Sequence, residues 1–241
     1  MHTGFSLDHS PRTGPTGAQT GHRRQCACEQ ALSERLNAGD LRLALKQDPE
    51  IAVPRNRTVF RTGDRADTLF IVCRGLLKLS HFTRRGEERV VRLLRPGDAL
   101  GLECLTGHPY RHSAVALRDS TLCRIPASFV GGMLDGGPAS PSGLFKLWQT
   151  SIDRADELLV EFGLGSARSR VARLLLLLGE EGPDAQCELF GRGDVGAILN
   201  LTPETVSRVI TEFKQTAAIT QLDVNRYRCD RPTLARVAER G

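Results

Sequence analysis

The stretch GDVGAILNLTPETVSRVITEF, residues 193–213, contains two helical patterns separated by a turn signal. Residues 194–199 can form a short helix, the next two residues a turn, and Thr202 an N-cap for the helix that follows. Pro203 suits the first position of that second helix, because a residue there needs no N–H donor. The stretch therefore predicts a helix-turn-helix unit.

The second predicted helix has two faces. Apolar side chains at positions i, i+3, i+4 and i+7 would pack against the first helix, and these are Val206, Val209, Ile210 and Phe213. Polar residues repeat this spacing on the opposite face, namely Glu204, Ser207, Arg208 and Thr211. Arginine can bond guanine bidentately, glutamate can accept from cytosine N4, and serine can contact base edges or phosphate. We therefore expect this face, with Thr202 at its start, to read double-stranded DNA.

A β-hairpin is predicted after these helices, because residues 219–229 alternate around a turn at 223–225. Such a hairpin would form a wing beside the DNA groove. The alternative is a generic small helical domain whose polar face is merely solvated.

A long helix is predicted before this unit, over residues 141–163. Apolar residues recur there in alternating steps of three and four, at Phe145, Trp148, Ile152, Ala155, Leu159 and Phe162. This heptad stripe between charged residues favours pairing with a second copy of the chain, as a homodimer seam. The alternative is a helix that packs on its own barrel. Gly163 and Gly165 would end the helix.

The segment from Thr58 to Pro126 has short apolar or alternating runs separated by glycine-containing turns. Many short strands at near-regular spacing indicate a small antiparallel barrel or sandwich. The 241 residues thus accommodate two compact units. Residues 1–24 are rich in Gly, Ser, Thr, Pro and His and are expected to form a flexible tail.

The net charge of +5 favours a polyanionic partner. No apolar run is long enough for a signal peptide or a membrane span, so a cytoplasmic location without membrane contact is expected. The seven cysteines are not expected to form a disulfide framework there.

Three stretches together resemble the Crp/Fnr family: FRTGDRADTLFIVCRGLLKL (60–79), LLRPGDALG (93–101) and residues 193–213. The resemblance covers about Arg55 to the C-terminus. It implies an α+β fold with a cyclic-nucleotide-binding-like antiparallel β-roll in residues 25–140, a dimerisation helix at 141–163, and a winged helix-turn-helix at 164–241. ETVSR, residues 204–208, is similar to the Fnr-type recognition helix. This implies a transcription regulator that binds Fnr-like inverted repeats, of the TTGAT type, and contacts RNA polymerase.

The resemblance breaks down at the cyclic-AMP site of the Crp branch. That site needs a glutamate for the ribose and an Arg-Ser pair for the phosphate, whereas the matching stretches read GLECL and RHSAV. Leu102 stands where the glutamate is expected, and His112 where the arginine is expected. A buried phosphate would lack a fixed cation, which argues against cyclic AMP.

The Fnr branch implies a [4Fe–4S] cluster and a response to oxygen or redox state. Cys123 matches the distant ligand of that cluster, Cys26 and Cys28 lie in the N-terminal ligand region, and Cys104 is the candidate for the fourth position. The C-x-C spacing is tighter than the family's C-x-x-C, and a cluster needs four thiolates. A thiol-based redox switch, scattered buried thiols such as Cys73, and haem bound through His81 or His112 are the alternatives.

Two other functions compete with that of a redox-responsive regulator. The barrel could serve as the pocket of an enzyme or of a ligand-binding module, or the chain could be a constitutive regulator without a sensor. The sequence shows no Ser/His/Asp array, phosphate loop or zinc-type motif, so an enzyme is not expected.

Overall fold

The structure of the protein is a computed structural model that describes residues 50–128, 141–180, 182 and 185–239, with the side chains of 141–144 left out. The predicted tail at 1–24, Cys26 and Cys28 lie outside these residues.

The first unit is an antiparallel β-roll. Its two four-stranded sheets have the orders β1-β8-β3-β6 and β2-β7-β4-β5, and every described strand pair is antiparallel. The strands are β1 (Glu50–Val53), β2 (Thr58–Phe60), β3 (Thr68–Arg74), β4 (Leu77–Phe82), β5 (Glu88–Leu94), β6 (Ala99–Leu100), β7 (Ser113–Ala116) and β8 (Ser120–Pro126). A single 3₁₀ turn, Leu102–Leu105, follows β6.

The turn between β3 and β4 requires glycine at position 75. Gly75 has φ +95°, and a Cβ there would lie 2.6 Å from the Cα of Ser120. The turn thus packs directly on the start of β8, which closes this end of the roll. Val72, Leu77 and Leu122 are fully buried in one apolar cluster between the sheets.

The second unit is a winged helix-turn-helix preceded by a long helix. Helix α1 (Pro141–Gly163) leads into α2 (Ala167–Leu178), α3 (Arg192–Leu199), α4 (Pro203–Gln215) and α5 (Arg231–Glu239). The wing sheet has the order β10-β11-β9 and comprises β9 (Gln186–Glu188), β10 (Ile219–Gln221) and β11 (Arg226–Cys229). The predicted hairpin is β10-β11, whereas β9 and α5 were not predicted, because β9 has only three residues and α5 has only two buried residues, Leu234 and Ala238.

The two units share one apolar core. Leu76 and Leu117 of the roll lie in the same buried cluster as Leu158 of α1 and the apolar faces of α2 to α5. Burying these side chains together removes apolar surface from water at the junction, which stabilises one arrangement of the two units.

A buried lysine also joins the units. Lys78 Nζ on β4 lies 2.7 Å from Glu88 Oε2 on β5 and 2.7 Å from Asp194 Oδ1 in the first turn of α3. Burial opposes the charge on this lysine, but the two carboxylates outweigh that cost and raise its pKa. The ammonium therefore stays charged and connects the roll to the first helix of the helix-turn-helix.

Among the described residues, no helix combines the length and the apolar character that crossing a membrane would require.

Candidate nucleic-acid interface

The turn between α3 and α4 depends on a close backbone approach. Asn200 adopts the left-handed conformation, with φ 54° and ψ 48°, and the N–H of Leu201 donates to the carbonyl of Gly196 at 3.0 Å. A Cβ on Gly196 would lie 2.5 Å from the carbonyl oxygen of Leu201. Only glycine at position 196 leaves room for this turn.

Helix α4 begins with the cap that the sequence predicts. Thr202 Oγ1 accepts a hydrogen bond from the backbone N–H of Thr205 at 3.2 Å, and Pro203 occupies the first helical turn. The backbone N–H of Glu204 and the hydroxyl of Thr202 lower the pKa of the Glu204 carboxyl. This side chain therefore remains an anionic acceptor at the start of the helix.

One face of α4 is fixed in the core. Val206, Val209, Ile210 and Phe213 are each at most 5% exposed and pack in the same cluster as α2 and α3. The burial of this face sets the rotation of the helix about its own axis.

The opposite face of α4 points to solvent. All five predicted DNA-contacting residues are exposed, namely Thr202, Glu204, Ser207, Arg208 and Thr211. Thr211 Oγ1 donates to the carbonyl of Ser207 at 3.0 Å, which holds the Thr211 hydroxyl against the backbone of its own helix. The Arg208 side chain makes no hydrogen bond or ion pair with another residue in the described part of the chain. The structure thus brings these residues onto one accessible surface, which we call the α4 face.

Two supporting contacts were not predicted. Arg170 Nη1 on α2 donates to the carbonyl of Leu199 at 2.8 Å and so fixes the end of α3. Lys214 Nζ donates to Gln221 Oε1 at 3.3 Å and links α4 to the wing. Both pairs join residues from different elements, and the local sequence carries no pattern that pairs them.

The predicted dimer seam on α1 is largely exposed. Phe145, Trp148, Ile152 and Leu159 are 66%, 39%, 54% and 65% exposed, and Ala155 is half-buried. The prediction for Phe162 is wrong, because this ring is only 4% exposed and packs in the core of its own chain. Phe162 lies one turn beyond Leu158, on the side of α1 that faces α2, and therefore cannot contribute to the stripe.

The region that corresponds to the cyclic-AMP site carries a carboxylate. Glu103 Oε1 lies 3.9 Å from His112 Nδ1 and accepts from the backbone N–H of Arg111 at 3.2 Å. Burial opposes the charge of Glu103, but these neighbours outweigh it and lower the pKa of the carboxyl. Leu102 is buried and apolar. The Glu103 carboxylate beside position 112 would repel a phosphate. This geometry favours the prediction that cyclic AMP does not bind, which stays a prediction.

Cys104 and Cys123, the two described members of the predicted ligand set, lie in surroundings that disfavour thiolates. Burial, together with the carboxylates of Glu103 and Asp67, raises the pKa of the Cys104 thiol to about 11, and burial raises that of Cys123 to about 12. Cluster ligands must be thiolates, which these surroundings disfavour. Within the described ranges, no three His, Cys, Asp or Glu side chains converge as a metal site. Cys73, predicted to be buried in its strand, is 4% exposed.

Two family models match the two structural units. A cyclic nucleotide-binding domain matches residues 50–136, and a Crp-like helix-turn-helix domain matches residues 169–237. A nucleotide-binding-type roll joined to a helix-turn-helix with an exposed polar face defines a class of proteins, the DNA-binding transcription regulators.

Individual relatives place the chain within this class. The transcriptional activator protein anr of Pseudomonas aeruginosa is 30% identical over 167 residues, which cover 67% of this chain and 68% of that protein. The fumarate and nitrate reduction regulatory protein of Vibrio cholerae is 25% identical over 169 residues, covering 68% of each. A solved regulator of the CRP family from Thermus thermophilus superposes with a TM-score of 0.68 at 21% identity, over 78% of this chain and 96% of that chain.

The chain belongs to the Crp/Fnr family of transcription regulators, on its Fnr-like branch. This confirms the predicted α+β architecture of a β-roll, a long helix and a winged helix-turn-helix. Members of the family are regulators of transcription, which are not enzymes.

The close backbone approach at Gly196 predicts how a substitution there changes the stability of the protein. Gly196→Ala should lower the free energy of unfolding by about 1–3 kcal/mol, because its Cβ would collide with the Leu201 carbonyl. Gly193→Ala is the matched control in the same helix, where a Cβ meets nothing within 4 Å, and it should be neutral or stabilising by up to about 1 kcal/mol. Urea unfolding monitored by circular dichroism measures both values. Equal stability of the two variants would contradict the close approach.

Proposed function

We propose that this protein binds inverted DNA repeats as a homodimer and inserts the α4 face of each subunit into the major groove of one half-site. One observation carries this proposal: a helix capped at Thr202 buries one face completely and exposes five hydrogen-bonding side chains on the other. A recognition helix needs this division, because its inner face must hold it while its outer face reads base edges.

The chemistry of the α4 face fits specific bases. The guanidinium of Arg208 is free to bond O6 and N7 of guanine, and the ionised carboxylate of Glu204 can accept from N4 of cytosine. Ser207 lies between them in sequence and can contact a base edge or a phosphate. The same three residue types, by resemblance, read TTGAT-type half-sites in the Fnr branch, so we propose half-sites of that type.

The exposed stripe on α1 supports the homodimer. Phe145, Trp148, Ile152 and Leu159 present large apolar side chains to solvent along one line of the helix. Pairing two such helices would bury this surface and relate two α4 faces by a two-fold axis. The seam we propose therefore consists of these four residues and Ala155.

The remaining assignments follow from the family. We propose that residues 25–140 form the sensing unit, 141–163 the dimerisation helix and 164–241 the DNA-binding unit. Contact with RNA polymerase in the cytoplasm is part of this proposal. A response to oxygen or redox state is proposed because relatives carry names such as fumarate and nitrate reduction regulatory protein.

A [4Fe–4S] cluster is not the sensor that the described residues support. Anaerobically purified protein is expected to show neither the iron nor the visible absorption of a cluster held by Cys104 and Cys123, because burial favours the neutral form of both thiols. Metal analysis and an absorption spectrum test this expectation, with Cys73→Ser as a control that should leave both unchanged. Stoichiometric iron that is lost in Cys123→Ser would overturn it.

Arg208→Ala tests the reading of bases. This variant should lose about 1–3 kcal/mol of affinity for an inverted TTGAT-type repeat and lose discrimination at one base position, while its affinity for unrelated DNA changes little. Fluorescence anisotropy at several salt concentrations measures both affinities. Arg74→Ala, an exposed arginine on β3 of the roll, is the matched control and should bind like the unmodified protein. Unchanged sequence preference in Arg208→Ala would exclude the proposed reading.

Ile152→Asp tests the seam. Sedimentation at micromolar concentration should show a dimer for the unmodified chain and a monomer for this variant, because the substitution places a charge in an apolar contact. Lys146→Glu is the control, since residue 146 is exposed and lies about 100° around the helix axis from Phe145. If the unmodified chain sediments as a monomer, or Ile152→Asp stays dimeric, α1 does not form the seam.

A further inference from the structure

Cys187 and Cys229, which are not among the predicted cluster ligands, are neighbours in the wing sheet. Tyr227 on β11 pairs with Cys187 on β9, so Cys229, two residues further along β11, lies diagonally across from Cys187 on the same face. The pairing continues to this point, because the backbone N–H of Cys229 donates to the carbonyl of Ala185 at 2.9 Å. Cys187 and Cys229 are 1% and 4% exposed and face the core of the helix-turn-helix unit.

The two thiols are close enough to influence each other's ionisation. Hydrogen bonding to Cys229, followed by burial, raises the pKa of Cys187, whereas hydrogen bonding from Cys187 and the nearby guanidinium of Arg231 lower the pKa of Cys229. The guanidinium of Arg231 favours a thiolate on Cys229, and Cys187 is the neighbouring thiol.

A cavity at the surface borders Cys229. Its volume is about 240 Å³, and Cys229, Thr220, Asp230, Arg231 and Pro232 belong to its lining. A water-sized molecule needs only about 30 Å³ of liquid volume, so hydrogen peroxide, a molecule of similar size, can enter. Cys229 belongs to this lining and Cys187 does not, so an oxidant in the cavity lies nearer to Cys229.

We propose that Cys187 and Cys229 form a reversible, peroxide-oxidised dithiol site in the DNA-binding unit. The sulfur of Cys229 attacks one oxygen of hydrogen peroxide and breaks the O–O bond, which gives a sulfenic acid on Cys229 and one water. The sulfur of Cys187 then attacks the sulfenic sulfur and forms the S–S bond, while the hydroxyl group leaves as a second water with the proton of Cys187. Two thiols are oxidised as one peroxide is reduced, and a dithiol reductant reverses the change.

The disulfide would alter the wing. Diagonal neighbours in an antiparallel sheet have Cα atoms about 7–8 Å apart, whereas a disulfide prefers about 5.5–6 Å. Bond formation therefore draws β9 and β11 together. Strand β11 pairs with β10, and β10 is bonded through Gln221 to Lys214 of α4. Oxidation thus shifts the wing against the α4 face, and DNA affinity falls. This last step rests on the proposed function, whereas formation of the disulfide does not.

The test of the chemistry uses the full chain. Fully reduced protein is treated with hydrogen peroxide, its remaining thiols are alkylated, and its peptides are mapped by mass spectrometry. The expected product is a peptide pair joined through Cys187 and Cys229, lost on treatment with dithiothreitol. In Cys187→Ser, the reaction should stop at a sulfenic acid on Cys229 that dimedone traps. Cys123→Ser, which removes a fully buried thiol of the roll, is the control and should still form the bond. If Cys187 and Cys229 remain thiols in the unmodified chain after peroxide treatment, the proposal is wrong.

The test of the consequence measures binding to the inverted repeat before and after oxidation. Oxidised protein should bind about tenfold more weakly or worse, with recovery after reduction, and Cys187→Ser should lose this reversible response. A disulfide that leaves the affinity unchanged would overturn the regulatory step. Reduced protein that does not bind DNA would instead refute the proposed function and leave the dithiol chemistry standing.

Discussion

The packing of α4 on α3 is the constraint on which the rest of the DNA-binding unit depends. Four apolar side chains of α4 are buried in the core, and the burial of each stabilises the fold by about 1.5–3 kcal/mol. The contact between the backbone of Gly196 and the carbonyl of Leu201 fixes the turn that joins the two helices. Together they determine both the angle of α4 and the direction in which its polar side chains point. Specific recognition requires this rigidity, because bidentate bonds to bases tolerate little misplacement.

The same unit is mechanically joined to the β-roll. Lys78 holds Asp194 at the beginning of α3, and Arg154 of α1 contacts the buried Asp98 in the turn between β5 and β6, with Nε 3.1 Å from Oδ2. Separating the partners of such a partly buried ion pair is costly, because it leaves a charge without compensation, so these contacts oppose arrangements that pull the partners apart. A change in the roll would therefore reach both α1 and the first helix of the helix-turn-helix. A change at Cys187 and Cys229 would reach the wing from within that unit, independently of the roll.

Local patterns allowed most of this architecture to be predicted from sequence. The cap at Thr202, the two faces of α4 and the wing hairpin each depend on residues within one or two turns of each other, so their spacing carries the information. Phe162 was misplaced because a heptad pattern cannot tell a partner helix from the core of the same chain. Contacts such as Lys78 with Asp194 join residues that are 116 positions apart, and only the fold brings them together. The pairing of Cys187 with Cys229 was missed for the same reason.

Dimethyl sulfate methylates guanine N7, an atom in the major groove that Arg208 is positioned to bond. Protection of N7 by the bound protein therefore tests most directly whether α4 occupies that groove. On an inverted repeat, we expect protected guanines in two half-sites whose centres are about one helical turn, or a multiple of it, apart. If the protected guanines lie outside the two half-sites, or if guanine N7 remains fully reactive in the bound DNA, α4 does not occupy the groove.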